Sequence, residues 1–206
     1  VINTIFLGVI ASMKQQAIDA LSKVRDIAKP NLLTCSPQTL LSDAAKLMAE
    51  NQFSSIYIEE NSEIIGIWTE RDALQFNFSS NTMHAISKVM SSPVKTVNAD
   101  MLIRDVAEQF NKDGIRHYLV VESTGEPIGT ISKTDIVQSY DLEFYLVLRR
   151  ISSVLRDCLP TVSSEDTVSY ASRLMRTSLV DAVAVKYPDS TDLGVFTERD
   201  LVKVLS

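Results

Sequence analysis

One phrase occurs three times in this chain, and it constrains the fold more than any other feature. It reads Gly66-Ile-Trp-Thr-Glu-Arg-Asp72, then Gly129-Thr-Ile-Ser-Lys-Thr-Asp135, then Gly194-Val-Phe-Thr-Glu-Arg-Asp200. The glycines lie 63 and then 65 positions apart. Such an interval means one structural unit copied three times, so the fold is read per unit. Each copy holds a glycine, two apolar residues, a hydroxyl residue and, three positions on, an aspartate. In each copy an apolar strand gives way there to a helix.

A second anchor precedes each phrase. Thr34, Thr96 and Thr161 sit in short apolar runs, 35, 36 and 36 positions before the hydroxyl residue of their phrase. Between the anchors the periodicity changes in the same order. Leu40, Ala44, Leu47 and Met48 form a helical stripe in unit one, with Ser36 and Thr39 as candidate N-caps. Leu102, Val106, Gln109 and Phe110 repeat it in unit two, and Val168, Ala171, Leu174 and Met175 in unit three. Two short strands follow, such as Tyr118–Val121 and Pro127–Ile131, and the phrase then opens a second helix. Each unit reads strand–helix–strand–strand–helix, an α/β plan with helices covering a small sheet. Residues 141–155 carry no Gly or Pro and read as a linker helix into unit three. Met13, Ala17, Ala20, Leu21 and Val24 form a further stripe near the start, read as a cap on unit one or a connector helix.

The net charge of −6 and pI near 5.0 come without a basic tract, which argues against nucleic-acid binding. Cys35 and Cys158 make no disulfide framework and have no metal-ligand spacing, so the expected setting is reducing and cytoplasmic. Cys35 shares a register position with Val97 and Val162 and reads as a small buried hydrophobe. The apolar run at residues 5–11 is too short to span a bilayer, which takes about 20 residues, so no membrane insertion is expected.

The three-fold pattern resembles the cystathionine-β-synthase (CBS) domain, a nucleotide-sensing module of about this size, over residues 28–206. One copy of Gly-x-x-Thr/Ser-x-x-Asp is weak evidence; three in register, each closing the same five-element pattern, are strong. The resemblance implies that the first two repeats pair as a Bateman module with ligand clefts between them. The expected divisions are an N-terminal helical segment at 1–27, repeat one at 28–80, repeat two at 81–141, and a linker helix with repeat three at 142–206.

The phrase also carries chemistry. An aspartate at a helix start can accept two hydrogen bonds from a vicinal diol such as ribose, and a nearby hydroxyl can donate to phosphate. The resemblance gives these roles to Thr69 and Asp72, Ser132 and Asp135, and Thr197 and Asp200. It sets adenine near Leu33-Thr34 or Val94-Lys95-Thr96. The same residues also serve as ordinary helix caps, worth about 1 kcal/mol each. Unit two alone adds Arg116-His117 before its middle strand, where family members that bind adenine nucleotides often place basic residues against phosphate. The aligned residues are Ser54-Ser55 and Val180-Asp181. Asp181 would repel a phosphate, so binding is better supported for units one and two than for unit three.

No P-loop, Gly-x-Gly-x-x-Gly or nucleophile elbow is present, so no enzyme is expected. The expected function is regulatory sensing of AMP, ADP, ATP or an adenosine-containing relative, acting on an effector in the same or another chain. The rivals are a dimerisation module without ligand and a divalent-cation sensor of a transporter. Units one and two can pair, which leaves the apolar stripes of unit three, with Leu201, Val204 and Leu205, without a partner; the expectation is a two-fold homodimer through unit three, its rivals being a fourth unit beyond Ser206 or the segment 1–27 folded onto unit three.

Overall fold

The computed structural model describes residues 22–75, 84–139 and 159–206. Repeat one comprises β1 (Thr34–Cys35), α2 (Leu41–Asn51), β2 (Ser55–Glu60), β3 (Glu63–Thr69) and α3 (Glu70–Ala73), preceded by the one-turn helix α1 (Val24–Ile27). Repeat two comprises β4 (Thr96–Asn98), α4 (Ile103–Asp113), β5 (His117–Val121), β6 (Pro127–Ser132) and α5 (Lys133–Ser139). Repeat three comprises β7 (Thr161–Ser163), α6 (Val168–Ser178), β8 (Ala182–Lys186), β9 (Leu193–Thr197) and α7 (Glu198–Leu205). The five-element plan is therefore present three times. Each sheet runs first–second–third strand, with a parallel pair and then an antiparallel one. A parallel pair needs a crossover, and the long helix of each repeat supplies it.

Alternation along the strands splits each sheet into two faces. Ile56, Ile58 and Trp68 join the core beneath the helices in repeat one, as Tyr118, Val120 and Ile131 do in repeat two. The opposite face, here the outer face, carries the rows Thr34–Tyr57–Ile67, Thr96–Leu119–Thr130 and Thr161–Ala184–Val195. The two sequence anchors of a repeat therefore share one face: Thr69 pairs with Ser55, Ser132 with His117 and Thr197 with Ala182, one row further along.

The helical stripes shift in phase from the sequence reading. Leu40 and Leu102 are extended N-cap residues, and Leu41, Ala44, Ala45 and Met48 form the buried face of α2. Ile103, Val106 and Phe110 do so in α4. Neither Ser36 nor Thr39 caps α2; their hydroxyls meet each other at 3.3 Å, and the cap position has no side-chain bond. In α6 Thr167 caps by accepting from Tyr170 N at 3.2 Å. In α2 and α4 two adjacent apolar residues at the helix start make the stripe ambiguous by one position. Cys35 pairs with Ile58 as Val97 pairs with Val120, and it is half-buried against the core. Cys158, the stripe before Val24 and the proposed linker helix at 141–155 lie outside the described residues, apart from Val24 itself.

The chain divides into two compact units. Of the described residues, one takes 22–32 and 95–139, and the other takes 33–75, 84–94 and 159–206. Repeat three shares repeat one's core. Helix α7 packs on α2 and α3. Leu41, Ala44 and Met48 bury with Ala171, Met175, Leu201, Val202 and Leu205 in one cluster. Repeat three therefore has a partner within the chain, and Val202 rather than the exposed Val204 completes the inward stripe of α7. All three repeats carry the same amphipathic stripes, so the stripes alone do not say which helices meet.

The segments before repeats one and two act as arms. Arm one, residues 23–30, precedes repeat one in sequence but lies on repeat two: Val24 is fully buried there, and Lys29 and Thr130 exchange two backbone hydrogen bonds of 2.9 Å. Arg25 reaches Asp100 and Glu122 on the same repeat. Arm two, residues 84–93, precedes repeat two but lies on repeat one: Ile86 is fully buried, and Ile67 and Ser91 exchange backbone bonds of 3.0 and 2.8 Å. Each arm pairs with the residue after the phrase glycine on the outer edge of the third strand.

Candidate functional site

The three phrases have one local geometry. The backbone N–H and the hydroxyl of the first residue both donate to Oδ2 of the aspartate. The distances are 2.8 and 2.8 Å for Thr69–Asp72, 2.7 and 2.6 Å for Ser132–Asp135, and 3.0 and 2.7 Å for Thr197–Asp200. These are capping boxes or their equivalent: the aspartate satisfies a donor that the helix leaves open, and the hydroxyl fixes the carboxylate rotamer. Capping therefore accounts for Oδ2 in every copy. Whatever else the aspartates do falls to Oδ1.

At Oδ1 the copies differ. In repeat two, Lys29 of arm one brings Nζ to 2.6 Å from Asp135 Oδ1, and the carboxylate is only 4% exposed. In repeat three, Lys203 on the next turn of α7 sits 3.1 Å from Asp200 Oδ1. In repeat one no ion pair falls on Asp72 among the described residues. Electrostatics follow. Burial pushes Asp72 above its ordinary value, and the Thr69 bonds only partly offset this. Burial also pushes up Asp135, but Lys29 and Ser132 outweigh it and the net direction is down. Asp200 is likewise lowered, burial being outweighed by Thr197 and Lys203.

Repeat two adds a basic rim. His117 opens β5 directly opposite Ser132, and Arg116 precedes it. Burial lowers the His117 pKa to about 4; the charge of Asp135 acts against this, while Arg116 and Lys29 add to it. The imidazole is thus neutral near pH 7 and offers one N–H, not a cation. Arg116 and Lys29 carry the positive charge. Thr96 lies exposed on β4 on the same outer face. Its neighbour Lys95 turns to Asp113 at 3.2 Å, so the lysine of the proposed adenine slot belongs to a surface ion pair.

Strand register corrects one alignment. Ser55, His117 and Ala182 each face the phrase hydroxyl, and the next backbone N–H donates to Ser54, Arg116 and Asp181 respectively. Asp181 therefore stands where Arg116 stands, one place from the alignment read off the sequence. The contrast between the repeats becomes acid against guanidinium.

In the other unit, Thr34, Thr69 and Asp72 belong to repeat one and Thr197 and Asp200 to repeat three. A cleft of about 350 Å³ between these repeats is lined by Met48, Phe53, Glu70, Arg199 and Lys203. Its cations are already engaged, Arg199 with Glu70 at 2.8 Å and Lys203 with Asp200. Sequence reasoning missed Lys29. Only the placement of arm one on repeat two brings it to Asp135, and no local signal announces that. No helix of the described residues is long and apolar enough to cross a membrane, and no three His, Cys, Asp or Glu gather there as a metal site.

Comparison with known proteins bears on the whole arrangement. The uncharacterised protein MK0525 of Methanopyrus kandleri is 34% identical over 128 residues, 60% of this chain and 64% of that protein. A 17.7 kDa protein of Acidianus ambivalens is 28% identical over 57% of this chain and 73% of its own length. The chain spans only 38% and 42% of two further relatives from Methanocaldococcus jannaschii. Among solved structures, protein MJ1225 of that organism, named as a candidate archaeal homolog of g-AMPK, matches with a TM-score of 0.73. The match covers 89% of this chain and 72% of that one at 18% identity, a likeness of fold. The CBS domain of a bacterial CNNM/CorC-family Mg2+ transporter, solved in complex with ATP, matches 62% of this chain and 93% of its own at 16% identity and a TM-score of 0.55. The family model of the CBS domain matches residues 24–78, 86–141 and 151–206. With three such matches over most of its length, and the five-element repeat folded three times, this chain belongs to the CBS-domain family of regulatory modules.

Proposed function

We propose that this protein senses an adenine nucleotide through repeat two and passes the signal to an effector in the same or another chain, in a cytoplasmic setting. The observation that carries the reading is one constellation in repeat two: a buried Asp135 with Oδ2 pinned by Ser132 and Oδ1 met by Lys29, His117 opposite Ser132, and Arg116 next to it in the chain. The ribose diol takes Asp135 Oδ1, and phosphate takes Arg116 together with the displaced Lys29 ammonium. The neutral His117 supplies one N–H, and adenine lies toward Thr96. The ATP complex of the transporter CBS domain and the name of MJ1225 support an adenine nucleotide as the ligand class. Asp72 is the second candidate ribose site, since no lysine occupies it among the described residues.

The signal has a physical route. Lys29 holds Asp135 by its side chain and Thr130 by its backbone. Ligand that takes the carboxylate from Lys29 loosens arm one, which leads directly into β1 of repeat one. Ligand thereby shifts the population between arm positions rather than creating a new state.

A thermal-shift screen with adenosine, AMP, ADP, ATP and magnesium chloride tests the reading. A nucleotide at 100 times its dissociation constant adds about 2.7 kcal/mol to stability. Stabilisation by AMP, ADP or ATP supports the proposal. A response to magnesium alone makes the protein a cation sensor, and silence throughout makes it a scaffold; either outcome overturns it.

A further inference from the structure

We infer that the cleft between repeats one and three is a binding site for a zwitterionic α-amino acid with an apolar side chain. The cleft lies within one compact unit and has a volume of about 350 Å³. The end of α2, the start of α3 and one face of α7 bound it. Its volume falls at the small end of the range for small-molecule sites, about 300–1,000 Å³. Met48, Phe53 and Val202 give it an apolar wall, and Glu70, Arg199 and Lys203 give it charge. The combination is specific to these two repeats. Glu70 and Arg199 come from the Thr-Glu-Arg-Asp phrases of repeats one and three, and repeat two holds Lys133 and Thr134 at the same positions.

The ligand class follows from how the charges are arranged. Arg199 donates from Nε to Glu70 Oε1 at 2.8 Å, and neither side chain makes another hydrogen bond among the described residues. The Nη groups of the guanidinium and Oε2 of the carboxylate are left to meet a ligand. Glu70 is only 16% exposed, so a charged donor at Oε2 replaces little water. Lys203, held by Asp200 at 3.1 Å, adds positive potential beside Arg199. A lone anion in the cleft would face Glu70, and a lone cation would face Arg199 and Lys203. A molecule with both charges on one carbon avoids both conflicts. Its carboxylate takes the Arg199 fork and its ammonium takes Glu70 Oε2, so the four charges alternate in sign. An α-amino acid has that spacing, and the apolar wall favours a side chain such as that of leucine, methionine or phenylalanine. Bound there, it ties α3 of repeat one to α7 of repeat three. The site is independent of the nucleotide reading.

Isothermal titration of the full chain with L-leucine, L-methionine and L-phenylalanine tests it. Isocaproate and isoamylamine keep the leucine side chain with one charge each, and glycine keeps both charges without the side chain. At least one of the three amino acids should bind, and each control should bind about tenfold or more weakly, the loss expected for one charged hydrogen bond or one buried side chain. Arg199→Gln and Glu70→Gln should each weaken binding by about the same factor, with circular dichroism unchanged, because the pair lies outside the core. Ala49→Leu, which fills the cleft and keeps both charges, should block binding. Failure of all three amino acids to bind, controls that bind as well as they do, or binding indifferent to Arg199→Gln and Ala49→Leu overturns the inference. None of these readouts involves a nucleotide, so this site and the nucleotide site can each fail alone.

Discussion

Asp72, Asp135 and Asp200 show how one residue type in one local geometry acquires three environments. Each gives Oδ2 to its own helix cap, and Oδ1 differs: no ion pair at Asp72 among the described residues, an arm lysine at Asp135, a same-helix lysine at Asp200. If Asp135 binds ribose, Asp135→Ala weakens adenine-nucleotide binding by about 1.5–3 kcal/mol, the range for hydrogen bonds to a charged group. Isothermal titration on the folded variant measures this, and unchanged affinity would leave capping as the residue's role. Arg116→Ala should cost AMP far more affinity than adenosine, because only AMP offers the anion; equal losses would assign Arg116 to packing. His117 carries a pH signature. Its folded pKa, near 4, lies below the unfolded value of 6.5. Between those values the unfolded chain binds a proton that the folded one does not, so stability is full above pH 6.5 and falls as pH drops toward 4. The wild type should lose roughly 3 kcal/mol more than His117→Gln across that window in urea denaturation. Parallel curves would mean that the imidazole titrates normally.

The informative elements are the arms and the third strands that receive them. A Cβ on Gly129 would meet the Lys29 carbonyl and the Pro30 Cα, both backbone atoms that cannot step aside without moving arm one. A Cβ on Gly194 would meet the Tyr187 hydroxyl at 2.9 Å, the end of a half-exposed side chain. Gly129→Ala should therefore disrupt the two Lys29–Thr130 bonds and destabilise its unit by about 2 kcal/mol, at about 1 kcal/mol per bond. Gly194→Ala should cost much less. Amide exchange at Thr130 reads the effect directly, and slow exchange at that position in Gly129→Ala would refute it. The phrase glycine, read from sequence as part of a binding motif, is in repeat two first a packing requirement for the arm.

For the whole molecule, the decisive fact is the shared core of repeats one and three. Leu201 of α7 is fully buried in it beside Leu41, Ala44 and Met48 of α2. Leu201→Ala should cost about 2–5 kcal/mol, the range for buried leucine truncation. The loss should appear as faster hydrogen exchange in repeats one and three together, with Val120 and Phe110 of repeat two keeping their protection. Faster exchange confined to repeat three would show that the two repeats are energetically separate. The ion pair between Arg199 and Glu70 crosses the same junction, but its arginine is 53% exposed, so it adds direction more than stability.

The repeat, the order of its elements, the α/β class and the hydroxyl–aspartate pair at each strand-to-helix turn were all legible in the chain, because each rests on local periodicity or on contacts three residues apart. Such signals survive without knowledge of distant neighbours. The phase of the helical stripes was legible only to within one residue, since Leu40-Leu41 and Leu102-Ile103 offer two apolar candidates each and the core chose the second. Three features came only from the tertiary structure: the sharing of one core by repeats one and three, the crossing of arms between repeats, and the approach of Lys29 to Asp135 across more than a hundred residues. Copies of one unit carry the same apolar faces, so sequence shows that each face must be buried and leaves open against which other. That choice is made by how the arms and helices fit together in space.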